Sequence, residues 1–152
     1  MIFLEYASQI AAQIVRMVDV RYTVQENTTY CKKLDIFGFV DPNTGVYGIC
    51  TNRIILVSRN HGVNPEYYMN ETLYHEAAHA AQFCRAPHAY VLGIPWASMP
   101  LSAERARGVM QSVALSGANR SQRGLQQRME HEAYWLEDKP EATKNYVQRF
   151  CF

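Results

Sequence analysis

One short run of the chain has the residue types and spacing for metal chemistry: His75-Glu76-Ala77-Ala78-His79. On a helix, residues four apart share a face, so His75 and His79 can offer two imidazole nitrogens to one tetrahedral ion, and zinc suits that pair. Glu76 sits beside the first ligand, where it would hold and deprotonate a zinc-bound water. Ala77 and Ala78 are small and allow close packing beneath the site. Leu73, Ala77, Ala80, Ala81 and Phe83 make the segment apolar around much of its circumference, so this helix is expected to be central and buried. Histidines buried in such a helix need partners, because unpaired polar groups are costly to bury.

Catalytic zinc takes three protein ligands and leaves a position for water. His88 follows His79 in the stretch AAQFCRAPHAY, but Gln82 stands where a metzincin would have glycine, and His88 reads better as a loop histidine. The other source is Arg128-Met129-Glu130-His131-Glu132-Ala133-Tyr134-Trp135-Leu136. This stretch, taken with the HExxH motif, resembles the gluzincins, whose third ligand is a glutamate on a downstream helix. The CAAX-prenyl and heat-shock membrane peptidases, and the repressor-cleaving peptidases of phage and stress regulons, carry that glutamate three residues before an alanine. The pattern maps onto Glu130 and Ala133. The chain is also similar to short zincin-like proteins of marine cyanobacteria and their phages, which have HEAxH, then an ExEA helix and a C-terminal cysteine. The likeness spans roughly residues 50–152 in layout and rests on two short motifs. At Tyr134 the better-known families have Asp or Asn to support the site.

The resemblance implies Glu130 as third ligand. The helical wheel points elsewhere: Leu125, Met129, Ala133 and Leu136 form the apolar stripe, with Glu132 near its centre and Glu130 at one edge. A carboxylate on a buried face needs a charge partner, so Glu132 remains the rival. Tyr74, His88, Tyr90, His131 and Tyr134 are the donors available to steady an oxyanion.

These residues need a scaffold. Ile2, Tyr6, Ile10, Ile14 and Met17 recur at helical spacing and predict an amphipathic N-terminal helix that packs on the domain. Residues 34–40 and 46–57 are rich in aromatic and β-branched types and flank Asp41-Pro42-Asn43-Thr44-Gly45, which predicts a hairpin. A third strand is expected around 22–31. Asn64-Pro65 looks like the start of the motif helix, running to about Arg85. Residues 86–101 read as an irregular loop that could wall a cleft. Helices follow from about Ser102 to Gly117, Ser121 to Asp138 and Pro140 to Phe150. The expected class is α+β: a single zincin-like domain over residues 1–152, with a small antiparallel sheet, a central HExxH helix and C-terminal helices.

Bulk properties narrow the function. The chain has 152 residues, is 48% hydrophobic and carries a formal net charge of +1, which suits one folded domain and gives no strong pull toward nucleic acid. Arg105, Arg107, Arg120, Arg123 and Arg128 are offset by glutamates and read as a solvated face. No window is long and apolar enough to span a membrane, and the N-terminus lacks the basic start of a secretion signal, so a cytoplasmic or virion-associated setting is expected. Cys31, Cys50, Cys84 and Cys151 form no CxxC pair and are expected as free, buried thiols.

The reading is a zinc-dependent hydrolase, a small metallopeptidase acting on a peptide or protein substrate, with Glu76 activating the water. The alternative is a non-catalytic zinc-binding or virion-associated protein that assembles with other subunits, favoured by how little chain there is for a deep cleft. A third is a zinc hydrolase of a non-peptide bond.

Overall fold

A computed structural model of the chain describes residues 1–33, 35–85 and 90–152. The architecture is α+β, with helices around a three-stranded sheet. The N-terminal apolar pattern divides in two: a 3-10 turn, Ile2–Glu5, and helix α1, Gln9–Val18. Ser8 makes the break. Its hydroxyl accepts from the Ala11 amide at 3.1 Å as an N-cap, while its own amide donates to Asn70 at 2.8 Å. The Glu26 carboxylate accepts from the Ile2 and Phe3 amides and ties the 3-10 turn to the sheet.

Strand β1 is Thr23–Glu26 and β2 is Gly38–Asp41, joined to β3, Val46–Ile49, by the Asp41–Gly45 turn. Asp41 accepts from the Asn43 amide at 2.9 Å, and Gly45 takes φ +68°, which suits glycine. The hairpin is therefore as expected. The sheet is not wholly antiparallel: its order is β1-β3-β2, with β1 parallel to β3 and β2 antiparallel to it. The chain leaves β1 through the short helix α2, Tyr30–Lys33, before turning back as β2, and that crossover allows the parallel pairing.

The predicted strand 46–57 stops at Ile49, and helix α3, Thr51–His61, takes over. Short apolar runs do not separate strand from helix. Here Thr51, Ile54 and Ser58 point into the core, Leu56 stays exposed, and Gly62 at φ +64° closes the helix. Of the strand predicted over 34–40, residue 34 lies outside the described residues and the described part begins at Gly38; that over 22–31 is confined to β1, with residues 30–33 helical.

Helix α4, Pro65–Arg85, runs through the middle. It packs against α1 and α7 on one flank, α3 and the sheet on another, and α6 on a third. Met69, Leu73, Ala77, Ala78, Ala80 and Ala81 are buried, and Tyr47 from β3 donates its hydroxyl proton to the Leu73 carbonyl at 2.7 Å. Burying Met69 and Leu73 contributes about 1.5–3 kcal/mol each. Helix α5, Ala103–Leu115, is capped by Ser102; α6, Arg123–Leu136, and α7, Pro140–Cys151, complete the chain.

The cysteines are not free. Cys31–Cys50 joins α2 to the end of β3, and Cys84–Cys151 joins the end of α4 to α7. Spacing along the chain concealed this. The fold brings the Cα atoms to 5.6 and 5.1 Å, inside the range a disulfide requires.

Candidate metal centre

Helices α4 and α6 meet where the two motifs lie. His75, His79 and Glu130 each turn one ligand atom to a common point, and the three atoms lie within 4.8 Å of one another. His75 Nε2 is 3.3 Å from Glu130 Oε2, and His79 Nε2 is 2.9 Å from Oε1. Four ligands about 2 Å from a tetrahedral zinc stand roughly 3.3 Å apart, so these separations suit the ion. Glu130 Oε2 is moreover a buried oxygen with no hydrogen-bond partner. A buried carboxylate oxygen that accepts no hydrogen bond, on a carboxylate set against two imidazoles, is what a cation would satisfy.

Each imidazole is oriented from behind. Nδ1 of His79 is 2.8 Å from Gln82 Oε1, and Nδ1 of His75 is 3.3 Å from Glu137 Oε1. Since both partners present acceptor oxygens, each Nδ1 donates, which leaves each Nε2 as the nitrogen that could hold a metal. Gln82 is fixed in turn, donating to the Met129 carbonyl at 2.9 Å and to Glu132 at 3.0 Å. Glu137 is held by Arg105 of α5, whose guanidinium also bonds Glu71 at 2.8 Å and approaches Asp138 at 3.5 Å. The Tyr134 ring packs edge-on against His75 with centroids 4.6 Å apart, and its hydroxyl is 3.1 Å from Ser112 Oγ.

The electrostatics without metal follow from this crowding. Burial works against charge on His75 and His79, yet the Glu130 carboxylate raises both imidazoles above their ordinary value, with Glu137 adding to the effect at His75. Burial pushes the Glu130 carboxyl up, but the two imidazoles outweigh it and hold it far below the carboxylate range. Burial raises Glu76, with His75 and His79 pulling it back.

Glu76 lies against strand β2. A Cβ built on Gly38 would come within 2.9 Å of Glu76 Cγ and 3.0 Å of Thr72 Cγ2, so glycine lets the strand run close beside the motif. The cluster opens into a cleft of about 770 Å³ bordered by residues 35–40, α4, α5 and α6. Its outer wall is α5. Among the described residues, none from 90–101 lines it, contrary to the loop wall expected there.

The structure separates the two glutamates. Glu132 is fully buried and accepts from the amides of Leu92, Gly93 and Ile94, at 2.7, 3.1 and 3.4 Å, and from Gln82. Its partner on the apolar face is the backbone of the 92–94 segment, and Glu130 is the one beside the histidines. Of the oxyanion donors named above, Tyr134 lines the cleft. Tyr74 bonds Ser8 at 2.9 Å, His131 bonds the Met99 carbonyl at 2.8 Å, and Tyr90 packs on Phe83. His88 lies outside the described residues.

Sequence reasoning missed Gln82, Glu137, Arg105 and Gly38. Gln82 was legible in part, three residues after His79 and so on a neighbouring face of the helix. Glu137, two turns beyond Glu130 at the end of α6, carried no local signal.

The fold and cluster define an α+β chain with two histidines and a glutamate converging in an open cleft. The chain belongs to the family described as Domain of unknown function (DUF8637), whose model matches residues 3–152. No curated protein and no solved structure matches it.

Proposed function

We propose that this is a zinc-dependent hydrolase of zincin-like fold, a small metallopeptidase, with His75, His79 and Glu130 as ligands and Glu76 as the base. The observation that carries the reading is the convergence of three ligand atoms from His75, His79 and Glu130, with one buried Glu130 oxygen accepting no hydrogen bond and both Nδ1 atoms already committed. A closed structural site would have four protein ligands. Here three converge, beside a carboxylate and a cleft, which favours catalysis over a purely structural ion.

Zinc, when bound, supplies a Lewis acid that polarises a carbonyl and lowers the pKa of water. The chain's own residues do the rest. Gln82 and Glu137 fix the imidazole orientation. Glu76, raised by burial, takes the proton of the attacking water as its oxygen adds to the carbonyl carbon. It then delivers that proton to the amine nitrogen as the C–N bond breaks, leaving a carboxylic acid and an amine.

The test is metal content followed by activity. Wild type is expected to bind one zinc per chain, and His75→Ala and Glu130→Ala to lose it. Glu76→Gln should keep the metal and lose hydrolysis of a peptide library. Equal, negligible zinc in all variants would remove the site, and unchanged activity in Glu76→Gln would remove the base.

A further inference from the structure

The cleft's walls are long, and they differ in chemistry along their length. On α4, Tyr67, Glu71, His75, His79 and Phe83 all line it, a span of about 24 Å at 1.5 Å per residue. Along α5 and its C-cap, lining residues run from Glu104 to Ser116, about 18 Å at the same rise. Opposite them lies β2, which pairs only with β3 among the described residues, so its outer edge is unpaired where Gly38, Phe39 and Val40 border the cleft. An edge strand offers a row of backbone donors and acceptors to a further extended chain.

The His75–His79–Glu130 cluster sits partway along this trough. Polar contacts fix which way the walls run. Arg105 meets Glu71 one turn before His75, and Ser112 meets Tyr134, which packs on His75. Leu115 therefore lies further along, near the start of α6, where the Met129 carbonyl bonds Gln82 beside Phe83. Beyond the cluster on that side the lining is Phe83, Met129, Leu115 and Gln126; on the other it is Tyr67, Glu71, Glu104 and Arg105. One arm is mainly apolar and the other charged and aromatic.

We infer that the cleft takes an extended polypeptide segment that passes the cluster on both sides and is cut internally, with an apolar side chain seated against Phe83, Met129 and Leu115. This rests on the hydrolase reading above. A trough of about 18–24 Å holds roughly five to seven extended residues at about 3.3 Å each.

The test separates binding from cleavage. Zinc-loaded Glu76→Gln is titrated by fluorescence anisotropy with peptides of two, four, six and eight residues, blocked at both ends and carrying one leucine. Affinity should climb to about six residues and then level. Leu115→Asp, altered at a residue 62% exposed, should weaken leucine peptides about tenfold and leave their serine counterparts unchanged. Wild-type digests should show internal cuts with leucine at a fixed offset. Equal affinity for two and eight residues, or binding abolished by blocking the ends, overturns the inference. Length-dependent binding without cleavage by wild type keeps the trough and overturns the hydrolase; cleavage confined to dipeptides or free termini does the reverse.

Discussion

Glu137 Oε1 lies 3.3 Å from Nδ1 of His75, seven residues beyond the glutamate that faces the same imidazole from the other side. The ring is thus held between a carboxylate from α6 and one from its C-cap, one facing each nitrogen. Partners of this kind typically cost 10–100-fold in metal affinity when removed. Glu137→Gln still offers an amide oxygen to Nδ1, so it should lose little. Glu137→Ala should weaken zinc binding within roughly that range, read by chelator competition. Equal affinities in both variants would exclude the orienting role.

Glu132 should behave as a stabilising residue. Its removal leaves the amides of Leu92, Gly93 and Ile94 without their acceptor in a buried setting. Glu132→Ala is expected to cost roughly 3–5 kcal/mol, lowering Tm by about 10 °C. It should still bind one zinc per folded chain. Loss of metal at unchanged Tm would make Glu132 the ligand instead of Glu130.

Gly108 lies within α5, where glycine costs about 1 kcal/mol relative to alanine. A Cβ there would stand 2.6–2.9 Å from the Tyr134 ring and hydroxyl. Gly108→Ala should therefore destabilise by about 1 kcal/mol net, overpacking outweighing helix propensity. In a Tyr134→Ala background the same change should become stabilising. A double-mutant cycle in urea reads the reversal, and additive effects would show that the phenol does not depend on this glycine.

Glu71 gives a pH signature. Burial, with the Glu137 carboxylate next, pushes it up to about 7, although Arg105 pulls the other way. A carboxyl raised in the folded state binds more protons there than in the unfolded chain. Its contribution is present below the ordinary carboxylate pKa and is lost as pH rises to about 7. Tm of zinc-stripped protein should fall over that interval, and Glu71→Gln should flatten the slope. A slope unchanged by that variant would assign the proton uptake to other groups.

The sequence made helices α4 to α7 and the hairpin legible because local signals marked them, among them Ser102 and Asn64-Pro65 at helix starts and the Asp41–Gly45 turn. It placed the histidines on one helix by spacing alone. Residues 51–57 were not legible, since four consecutive apolar residues fit either period and burial decides between them. The resemblance pointed to Glu130, and the fold sets that residue beside the histidines: the wheel correctly found Glu132 on the buried face, but a charge can be satisfied there by backbone amides as well as by metal. The disulfides and Glu137 depend on contacts between distant segments, which spacing does not encode.

Helix α5 buries Val109 alone, while α4 contributes eleven buried residues. Substitutions on α4 would disturb the interior and the candidate metal ligands together, so that helix has little freedom to drift. Most of α5 can change at small cost to folding, and each change redraws one wall of the cleft. Divergence in what this chain recognises would be concentrated on α5, and a library randomised at its cleft-facing positions is the natural starting point for retargeting it.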